Sequence, residues 1–389
     1  MIVIVDNENE LEKKRRTMTI LSVQANTVVV PLEVDTAIAT RAIRNREYTL
    51  VRIKNSSGQT GIGFCYGGSK AGHLSTLAVR DLLRESVTGR EPQEMDAIWD
   101  KMFQDSLLHG RRGSVLRAIS AIDIALWDLL GKEKGLPLYA LLGSDKKETV
   151  PAYASGGYYL NGKTNEDLAD EVKGYVDKGF KAVKIKIGML SAKEEALRIK
   201  ACRQAIGPNV PLFLDANNAW PDAATAIEAI RMFEEYEPGW VEEPVMPDDL
   251  EASAAIAAST QIPIATGEIE ATRWGFQEII HRKSASILQP DAAVCGGITE
   301  WRKIAALADA QKIPVTPHWF ADLHIHLVAA TSNASWVEFF PDTTIFNFMR
   351  LLKKSVEAHD GELLLPQEPG LGIEFNEGII ERFSIDGWR

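Results

Sequence analysis

Short apolar segments alternate with longer amphipathic segments along this chain after about Val150. Stretches such as AKEEALRIKACRQAI place their apolar residues on one face of a helix, whereas the short segments are rich in residues that favour strands. The predicted strands begin near Pro151, Ala182, Leu212, Trp240, Ile264, Ala285, Val315 and Trp336. Eight strands with helical crossovers in about 200 residues indicate a (β/α) barrel, with an open doubly wound sheet as the alternative.

The part of the chain before this repeat has a different pattern. Runs such as ILSVQANTVVVPL and YTLVRIK, followed by the turn-like NSSGQTGIG, predict a meander of hairpins from about Thr19 to Ala71. Apolar residues then recur at helical spacing, at Ile119, Ile122, Leu126 and Leu130. Gly131 and Gly135 are predicted to end that helix. An α+β unit is therefore expected before the barrel.

Charge and cysteine content exclude several classes of protein. A formal net charge of -11 over 389 residues disfavours nucleic acid or an anionic membrane as the main partner, so an anionic substrate would need a local cation. The three cysteines, Cys65, Cys202 and Cys295, are too few and too far apart for a disulfide framework or a CxxC metal site.

The N-terminus does not have the pattern of a targeting segment. Its apolar run is too short for a secretory signal, and no run approaches the roughly 18 residues of a membrane span. We therefore expect a cytoplasmic protein in which residues 1–18 form a polar extension.

Ionisable or amide side chains lie at the end of nearly every predicted barrel strand. In GFKAVKIKIG, Lys184 and Lys186 share one face of the strand, which by itself would also suit a solvated edge strand. The later strand ends supply Asp215, Asn217, Glu242, Glu268, Asp291, His318 and Glu338. Each residue alone is a weak signal, because DANN is typical of a turn and EEP of a loop or cap. Together they indicate an active site, since a parallel barrel has its chemistry at the C-terminal strand ends.

Three of these carboxylates predict a metal site. Asp215, Glu242 and Glu268 follow neighbouring strands and form an all-oxygen cluster, which favours Mg²⁺. A zinc site built from His318, His324 and His326 is the alternative. It is disfavoured because HWFADLHIH is expected to enter the next helix, where residues two positions apart diverge.

The remaining groups suggest proton transfer. Lys186, beside Lys184 and near a divalent cation, is expected to lose its proton easily and act as a base. Asp291 is expected to orient and charge His318 on the opposite side. Such a site suits removal of a proton next to a carboxylate, with the negative charge stabilised by the cation and by Lys184 or a hydrogen bond from a protonated Glu338.

The ordered motifs KIK, DANN, EEP and TGE, the Asp291 and His318 pair, and Glu338 resemble the mandelate racemase subgroup of the enolase superfamily over roughly residues 19–389. The resemblance implies an α+β capping domain over residues 19–148, a modified TIM barrel, (β/α)₇β, over residues 149–365, and a C-terminal segment, 366–389, that returns to the cap. It also implies Mg²⁺ on the three carboxylates. The muconate cycloisomerase and dipeptide epimerase branch is disfavoured, because no lysine lies between Ser286 and Thr299.

The same resemblance implies a sugar acid dehydratase, a lyase of carbohydrate acid catabolism. Lys186 would remove the proton α to the carboxylate, a metal-stabilised enediolate would form, and His318 would protonate the leaving β-hydroxyl to give a 2-keto-3-deoxy acid; the two roles could be exchanged. A racemase or epimerase of a 2-hydroxy acid would use the same two bases, and a non-catalytic acid-sugar-binding barrel is a third reading. The resemblance further implies a homo-oligomer.

Candidates for binding the rest of a sugar acid lie mostly in the predicted cap. Cationic and polar candidates are Arg41, Arg44, Arg46, His109, Arg111, Arg112 and Asn217, and candidate pocket walls are Tyr158, Trp220, Trp319 and Phe320. Surface charge or core packing would explain each of them equally well. We expect at least one of the arginines to contact substrate.

Overall fold

The N-terminal part of the computed structural model is an antiparallel three-stranded sheet. The structure describes residues 18–145 and 148–389, so the predicted polar extension lies, except for Met18, outside the described residues. The strands run in the order β1 (Ile20–Ile38), β2 (Arg41–Asn55) and β3 (Thr60–Gly68). This arrangement is the predicted meander of hairpins.

Helices follow this sheet in the chain, and the longest of them packs on β2 and β3. They are α1 (His73–Leu77), which continues through a π-helical segment (Ala78–Leu83) into α2 (Arg84–Val87), then α3 (Met95–Ser106), α4 (Ser114–Lys134) and α5 (Leu138–Leu141). Gly135 ends α4 in a left-handed conformation, with φ of 65°, as glycine does readily. The predicted stop at Gly131 is wrong, because that residue is buried inside the helix.

Two glycines of β3 allow α4 to approach the sheet closely. A Cβ atom on Gly63 would lie 2.0 Å from the carbonyl oxygen of Ala121, and one on Gly61 would lie 2.1 Å from that of Ala125. Neither contact can be relieved by rotating a side chain, because the nearest atoms belong to the helix backbone. The helix and sheet would have to move apart to admit a methyl group.

We expect Gly63→Ala to lower the free energy of unfolding by about 3 kcal/mol or more, because it overpacks this contact. Gly174→Ala is the matched control: Gly174 lies inside a helix with open space around its position, so alanine should stabilise by about 0.5–1 kcal/mol. Denaturant unfolding of both variants measures the difference. Equal stabilities would show that α4 does not pack as tightly on β3 as described.

A parallel barrel follows the capping elements. Its strands are β4 (Thr149–Gly156), β5 (Val183–Lys186), β6 (Leu212–Asp215), β7 (Trp240–Glu242), β8 (Ile264–Thr266), β9 (Ile287–Leu288) and β10 (Val337–Phe339). Neighbours from β4 to β9 pair in sequence order, β10 pairs with β4, and isolated bridges of Val315 join β9 to the segment before β10, which closes the barrel. The open-sheet alternative is therefore excluded. The strand predicted at Val315 is reduced to isolated bridges with Leu288 and Ala334.

Helices alternate with the barrel strands. They are α6 (Asn165–Asp177), α7 (Ala192–Ile206), α8 (Ala223–Phe233), α9 (Leu250–Ser259), α10 (Thr272–Arg282), α11 (Ile298–Ala310) and α12 (Ala321–Ala329), with 3₁₀ turns at Glu234–Tyr236 and Phe348–Leu351. Capping boxes at Thr164 and Ser191 begin α6 and α7, as expected for Ser or Thr followed three residues later by an acidic residue.

None of the described helices combines the length and hydrophobicity needed to cross a membrane.

The C-terminal segment returns to the N-terminal sheet. The hairpin of β12 (Ala358–His359) and β13 (Glu362–Leu364) adds antiparallel to β4 of the barrel. Outside it, β11 (Leu352–Lys354) pairs with β14 (Glu374–Phe375), and α13 (Glu377–Phe383) follows. The backbone of Arg389 exchanges hydrogen bonds with Ala25 of β1 at 2.9 and 3.2 Å. The last residues thus add to the edge of β1.

Direct contacts hold the capping elements over the barrel mouth. Ala37, near the tip of the β1–β2 hairpin, exchanges backbone hydrogen bonds with Tyr159 after β4. Further along, Asp123 of α4 accepts a hydrogen bond from the backbone N–H of Thr299 at 2.9 Å. These contacts place the hairpin and α4 at the C-terminal ends of the barrel strands, where the predicted site residues lie.

Candidate active site

Lys184 and Lys186 both point into the barrel and are buried, so the solvated edge strand is excluded. The Lys184 ammonium contacts Glu242 at 2.9 Å and Glu338 at 2.6 Å, and lies 3.8 Å from Asp215. Lys186 donates a hydrogen bond to Asp215. Lys186 lines the cavity between barrel and cap, whereas Lys184 lies beneath it among carboxylates.

The three predicted metal ligands converge. One oxygen each from Asp215, Glu242 and Glu268 lies within 4.8 Å of the others, and all three residues are buried. Asn217 and Asn218, which follow β6, have φ of 43° and 63°. Asparagine tolerates this left-handed region better than most residues do, which is a local reason for DANN after the strand. The Asn217 backbone N–H also holds the Asp215 carboxylate at 2.9 Å.

Two residues that sequence reasoning missed hold Glu242 in place. Gln289 donates to its carboxylate at 2.7 Å, and the Trp240 indole N–H donates at 3.3 Å. Gln289 belongs to the QPD motif, but only its aspartate was singled out from the sequence. Its contact with Glu242 spans two strands and depends on the barrel geometry.

His318 lies between two carboxylates. Its Nδ1 is 3.1 Å from Asp291 Oδ2, and its Nε2 is 3.2 Å from Glu268 Oε2. Burial lowers the pKa of His318, but Glu268 and Asp291 outweigh this effect and raise the pKa to about 9. The imidazole is therefore held in its charged form, as expected from the Asp291 pairing.

Lys186 forms a close ion pair with Asp215 of the next strand. Burial lowers the pKa of Lys186, but the adjacent Asp215 outweighs burial, and the pKa is raised above its ordinary value. The carboxylate on the next strand thus acts against the effect expected from Lys184 and a cation beside Lys186. The role of Lys186 as a base therefore stays a prediction that depends on a cation drawing Asp215 away from it.

The cations around Glu338 oppose the protonated form expected for it from the sequence. Burial raises the pKa of Glu338, but Lys184, His318 and Lys186 outweigh burial and lower the pKa to about 2. As a carboxylate, Glu338 accepts a hydrogen bond from the backbone N–H of Trp319 at 2.9 Å. It therefore helps to hold Trp319, whose φ of 52° is unusual for a bulky residue.

The zinc alternative is excluded by the other two histidines. His324 and His326 lie in α12, and backbone groups occupy both ring nitrogens of each. In His326, Nδ1 accepts from the Tyr139 N–H at 3.3 Å and Nε2 donates to the Leu371 carbonyl at 3.1 Å. Both rings hold structure together and leave no nitrogen for a metal.

His326 should make stability depend on pH. Burial lowers its pKa to about 4 from an ordinary value of 6.5, so the unfolded chain binds the proton more tightly. The neutral His326 contributes about 3 kcal/mol to the free energy of unfolding. This contribution is complete above pH 6.5 and is lost as the pH falls towards 4. We expect His326→Gln to remove this part of the pH dependence, measured by urea unfolding at pH 7 and pH 4.5. An unchanged slope would show that His326 protonates without cost.

A cavity of about 210 Å³ lies between the barrel mouth and the cap. The predicted site residues that line it are Lys186, Asn217, Glu268, Asp291, His318, Arg41, Arg46, Tyr158 and Trp319. Barrel strand ends supply the acids and bases, and the β1–β2 hairpin supplies Arg41 and Arg46. The proton-transfer candidates therefore share one space with cationic side chains.

Other predicted substrate residues do not reach this cavity. Arg44 is 79% exposed and pairs with Asp35, while His109 and Arg111 are exposed on the loop before α4. Arg112 pairs with Asp248 and Glu270 outside the cavity lining. The sequence placed them near the site because they lie in the cap, but their side chains face solvent.

Sequence reasoning also missed Arg117, Tyr66 and Phe346 in the cavity lining. Arg117 lies in the helical pattern of α4, where a polar residue at the helix start is expected in solvent. No local signal could have identified it, because its position in the cavity depends on how the cap docks.

Comparison with known proteins identifies similar chains. Residues 17–143 match the family described as mandelate racemase / muconate lactonizing enzyme, N-terminal domain, and residues 167–379 match the enolase C-terminal domain-like family. Arabinonate dehydratase of Saccharolobus solfataricus is 36% identical over 347 residues, which are 87% of this chain and 91% of that protein.

Two further proteins are similar over most of their length. L-talarate/galactarate dehydratase of Salmonella typhimurium is 33% identical over 84% of this chain and 80% of that protein. The crystal structure of a racemase from Streptomyces coelicolor with bound magnesium superimposes with a TM-score of 0.88 at 31% identity, covering 94% of this chain and 100% of that one.

Proposed function

This chain belongs to the mandelate racemase/muconate lactonizing enzyme family of the enolase superfamily, and we propose that it is a Mg²⁺-dependent sugar acid dehydratase. One observation carries the proposal: Lys186 and the His318–Asp291 pair line a single cavity together with Glu268 of the carboxylate cluster. An acid–base pair in one cavity beside a cation site suits removal of an α-proton followed by loss of a β-hydroxyl.

The three carboxylates fit Mg²⁺. Asp215, Glu242 and Glu268 offer only oxygen ligands, within 4.8 Å of one another, and the His318 imidazole beside Glu268 is held in its charged form by Glu268 and Asp291. The bound ion would supply Lewis-acid stabilisation of the charge that develops on the substrate carboxylate. Its binding to Asp215 would compete with the ion pair between Asp215 and Lys186, which raises the pKa of that lysine.

The proton-transfer roles follow from the cavity lining. Lys186 takes the proton from the carbon next to the carboxylate, and the electron pair forms a carbon–carbon double bond as the β-carbon–oxygen bond breaks. The His318 imidazolium, charged by Glu268 and Asp291, gives its proton to the departing hydroxyl, which leaves as water. The enol then tautomerises to a 2-keto-3-deoxy acid. A substrate of opposite configuration exchanges the two roles.

Lys184 and Glu338 act as positioning residues in this proposal. Lys184 holds Glu242 and Glu338 from below, and Glu338 holds the backbone of Trp319, next to His318. Asn217, Tyr158 and Trp319 are buried cavity walls that would exclude water from the reacting carbons. Cytoplasmic location and a homo-oligomeric state stay predictions.

A racemase is the second candidate, because the similar Mg²⁺-bound structure from Streptomyces coelicolor is named as one. The same two bases would serve it, and no leaving group would be needed. A screen of purified protein with Mg²⁺ against aldonic and aldaric acids separates the two. Formation of a 2-keto-3-deoxy acid supports the dehydratase; α-proton exchange in heavy water without dehydration supports the racemase. The absence of both reactions would refute the proposed function and support the binding-only reading.

A further inference from the structure

Building on the proposed dehydratase, we infer that the substrate is an aldaric acid, a sugar acid with a carboxylate at each end, and that Arg46 with Arg41 and Arg117 binds the second carboxylate. All three arginines come from the cap and line the cavity that Lys186 and His318 line from the barrel. The inference names the substrate class of that same site.

Arg46 is a buried cation with an unused donor. Its side chain is 3% exposed, and its Nη2 has no hydrogen-bond partner among the described residues. Its Nε donates to the Ile345 carbonyl at 3.1 Å, and the guanidinium lies 4.0 Å from the Phe346 ring centroid. A buried N–H without an acceptor is costly, whereas a carboxylate would satisfy both its charge and its geometry.

Arg46 is held rigidly, which favours a binding role. The Trp319 ring centroid lies 5.2 Å from the guanidinium on the barrel side, and the Tyr66 centroid lies 5.6 Å away on the cap side. Aromatic packing and the hydrogen bond to the Ile345 carbonyl fix the orientation of the Arg46 guanidinium, so little conformational entropy is lost when an anion binds.

The guanidinium groups of Arg41 and Arg117 add to the positive charge that Arg46 brings to the cavity. Arg41 lies at the start of β2, and Arg117 lies in α4, where it donates to the Tyr66 carbonyl at 2.8 Å. No carboxylate within 4.0 Å pairs with Arg41, Arg46 or Arg117 in the part of the chain that the structure describes. In a chain of net charge -11, this concentration of unpaired cations marks an anion site.

The three arginines and the reacting groups line one cavity of about 210 Å³, so one small molecule can contact both. Tyr158 lines the same cavity as Arg46 and Lys186, and the Lys186 ammonium lies 5.4 Å from the centroid of its ring. Burial raises the pKa of Tyr158 to about 12, and the nearby Lys186 and Arg46 limit that rise. A substrate whose first carboxylate faces the metal ligands would therefore extend its far end towards Arg46.

The charge at that far end distinguishes the two classes of sugar acid. An aldonic acid ends in a neutral hydroxyl, which leaves the Arg46 charge buried and unpaired. An aldaric acid ends in a carboxylate that can accept a bidentate pair of hydrogen bonds from the guanidinium. A site whose buried polar group pairs with a group on the substrate discriminates strongly against analogues that lack that group, because the protein group is then left unpaired.

The test compares kcat/KM for an aldarate and the aldonate of the same configuration, galactarate and galactonate first, and then other pairs of matched configuration. We expect the wild type to prefer the aldarate by on the order of 100-fold or more, and Arg46→Met to reduce this preference to within about tenfold. Arg44→Met is the matched control: it removes an exposed arginine of the same hairpin that lies outside the cavity, and the preference should be unchanged.

A binding measurement tests the inference independently of turnover, so it also applies to variants that lack activity. Calorimetric titration of Lys186→Ala with each acid in the presence of Mg²⁺ should show tighter binding of the aldarate, and Arg117→Met in that background should weaken it selectively. Equal turnover of both acids, equal binding, or a preference for a phosphorylated aldonate would overturn the inference. Turnover of aldonates alone would overturn it while leaving the dehydratase intact, and absence of turnover on every sugar acid would refute the dehydratase itself.

Discussion

Lys186→Ala is expected to lower kcat/KM by about 10³- to 10⁴-fold, because it removes the base that takes the α-proton. The loss should appear in kcat, since alanine removes a group needed in the transition state more than one needed for binding. Single-turnover dehydration and α-proton exchange in heavy water measure the same step and should fall together. The fold should persist, although Asp215 loses its buried cationic partner.

Lys181→Ala is the matched control for this variant. Lys181 precedes the same strand, but its side chain is exposed, so activity should stay within about twofold of the wild type. Far-ultraviolet circular dichroism of both variants checks that each is folded. Wild-type turnover by a folded Lys186→Ala protein would rule out Lys186 as the base and leave His318 as the remaining proton-transfer group of the cavity.

Removing Mg²⁺ is expected to abolish activity, and Asp215→Asn is expected to weaken Mg²⁺ binding at least 100-fold. The substitution takes one charged ligand from a cluster of three buried carboxylates. In the wild type, Mg²⁺ at 100 times its dissociation constant should stabilise the fold by about 2.7 kcal/mol. Thermal unfolding with EDTA and with Mg²⁺ measures this without any substrate, and Asp215→Asn should show almost no rise.

Asp222→Asn is the control for the metal experiment. Asp222 caps α8 by accepting a hydrogen bond from the Thr225 N–H, and asparagine caps a helix almost as well. This variant should therefore keep the Mg²⁺-dependent rise in melting temperature. A rise of equal size in Asp215→Asn would mean that any cation binds elsewhere, and the proposed metal site would be wrong.

The barrel was predictable because its signals are local. Alternation of apolar residues marks each strand, and helix caps such as Thr164 and Ser191 mark the helix starts. The seventh strand was overestimated at Val315, where the chain makes only isolated bridges. A short apolar run between two turns can be a full strand or a single bridge, and only pairing with its neighbours decides which. Domain boundaries at 148 and 365 stay predictions.

The side chains that gather at the strand ends could be singled out from the sequence, but the charges that surround each of them could not. Lys184 and Lys186 are separated by one residue in a strand, so their common face follows from strand geometry. Glu242, Glu338 and Asp215 come from distant positions in the chain, and their charges raise the pKa values of the two lysines. A pKa depends on burial and on charges within a few ångströms, which sequence spacing does not specify.

The sequence by itself determined the order of strands and helices and the residue type at each strand end, because both follow from short-range periodicity. Only the tertiary structure decided that Arg46 and Arg117 enter the cavity while Arg44, His109 and Arg111 remain in solvent. Closing the barrel and docking the cap bring together side chains that are far apart in the chain. Which cations meet the cavity depends on that packing, and local sequence patterns carry no information about it.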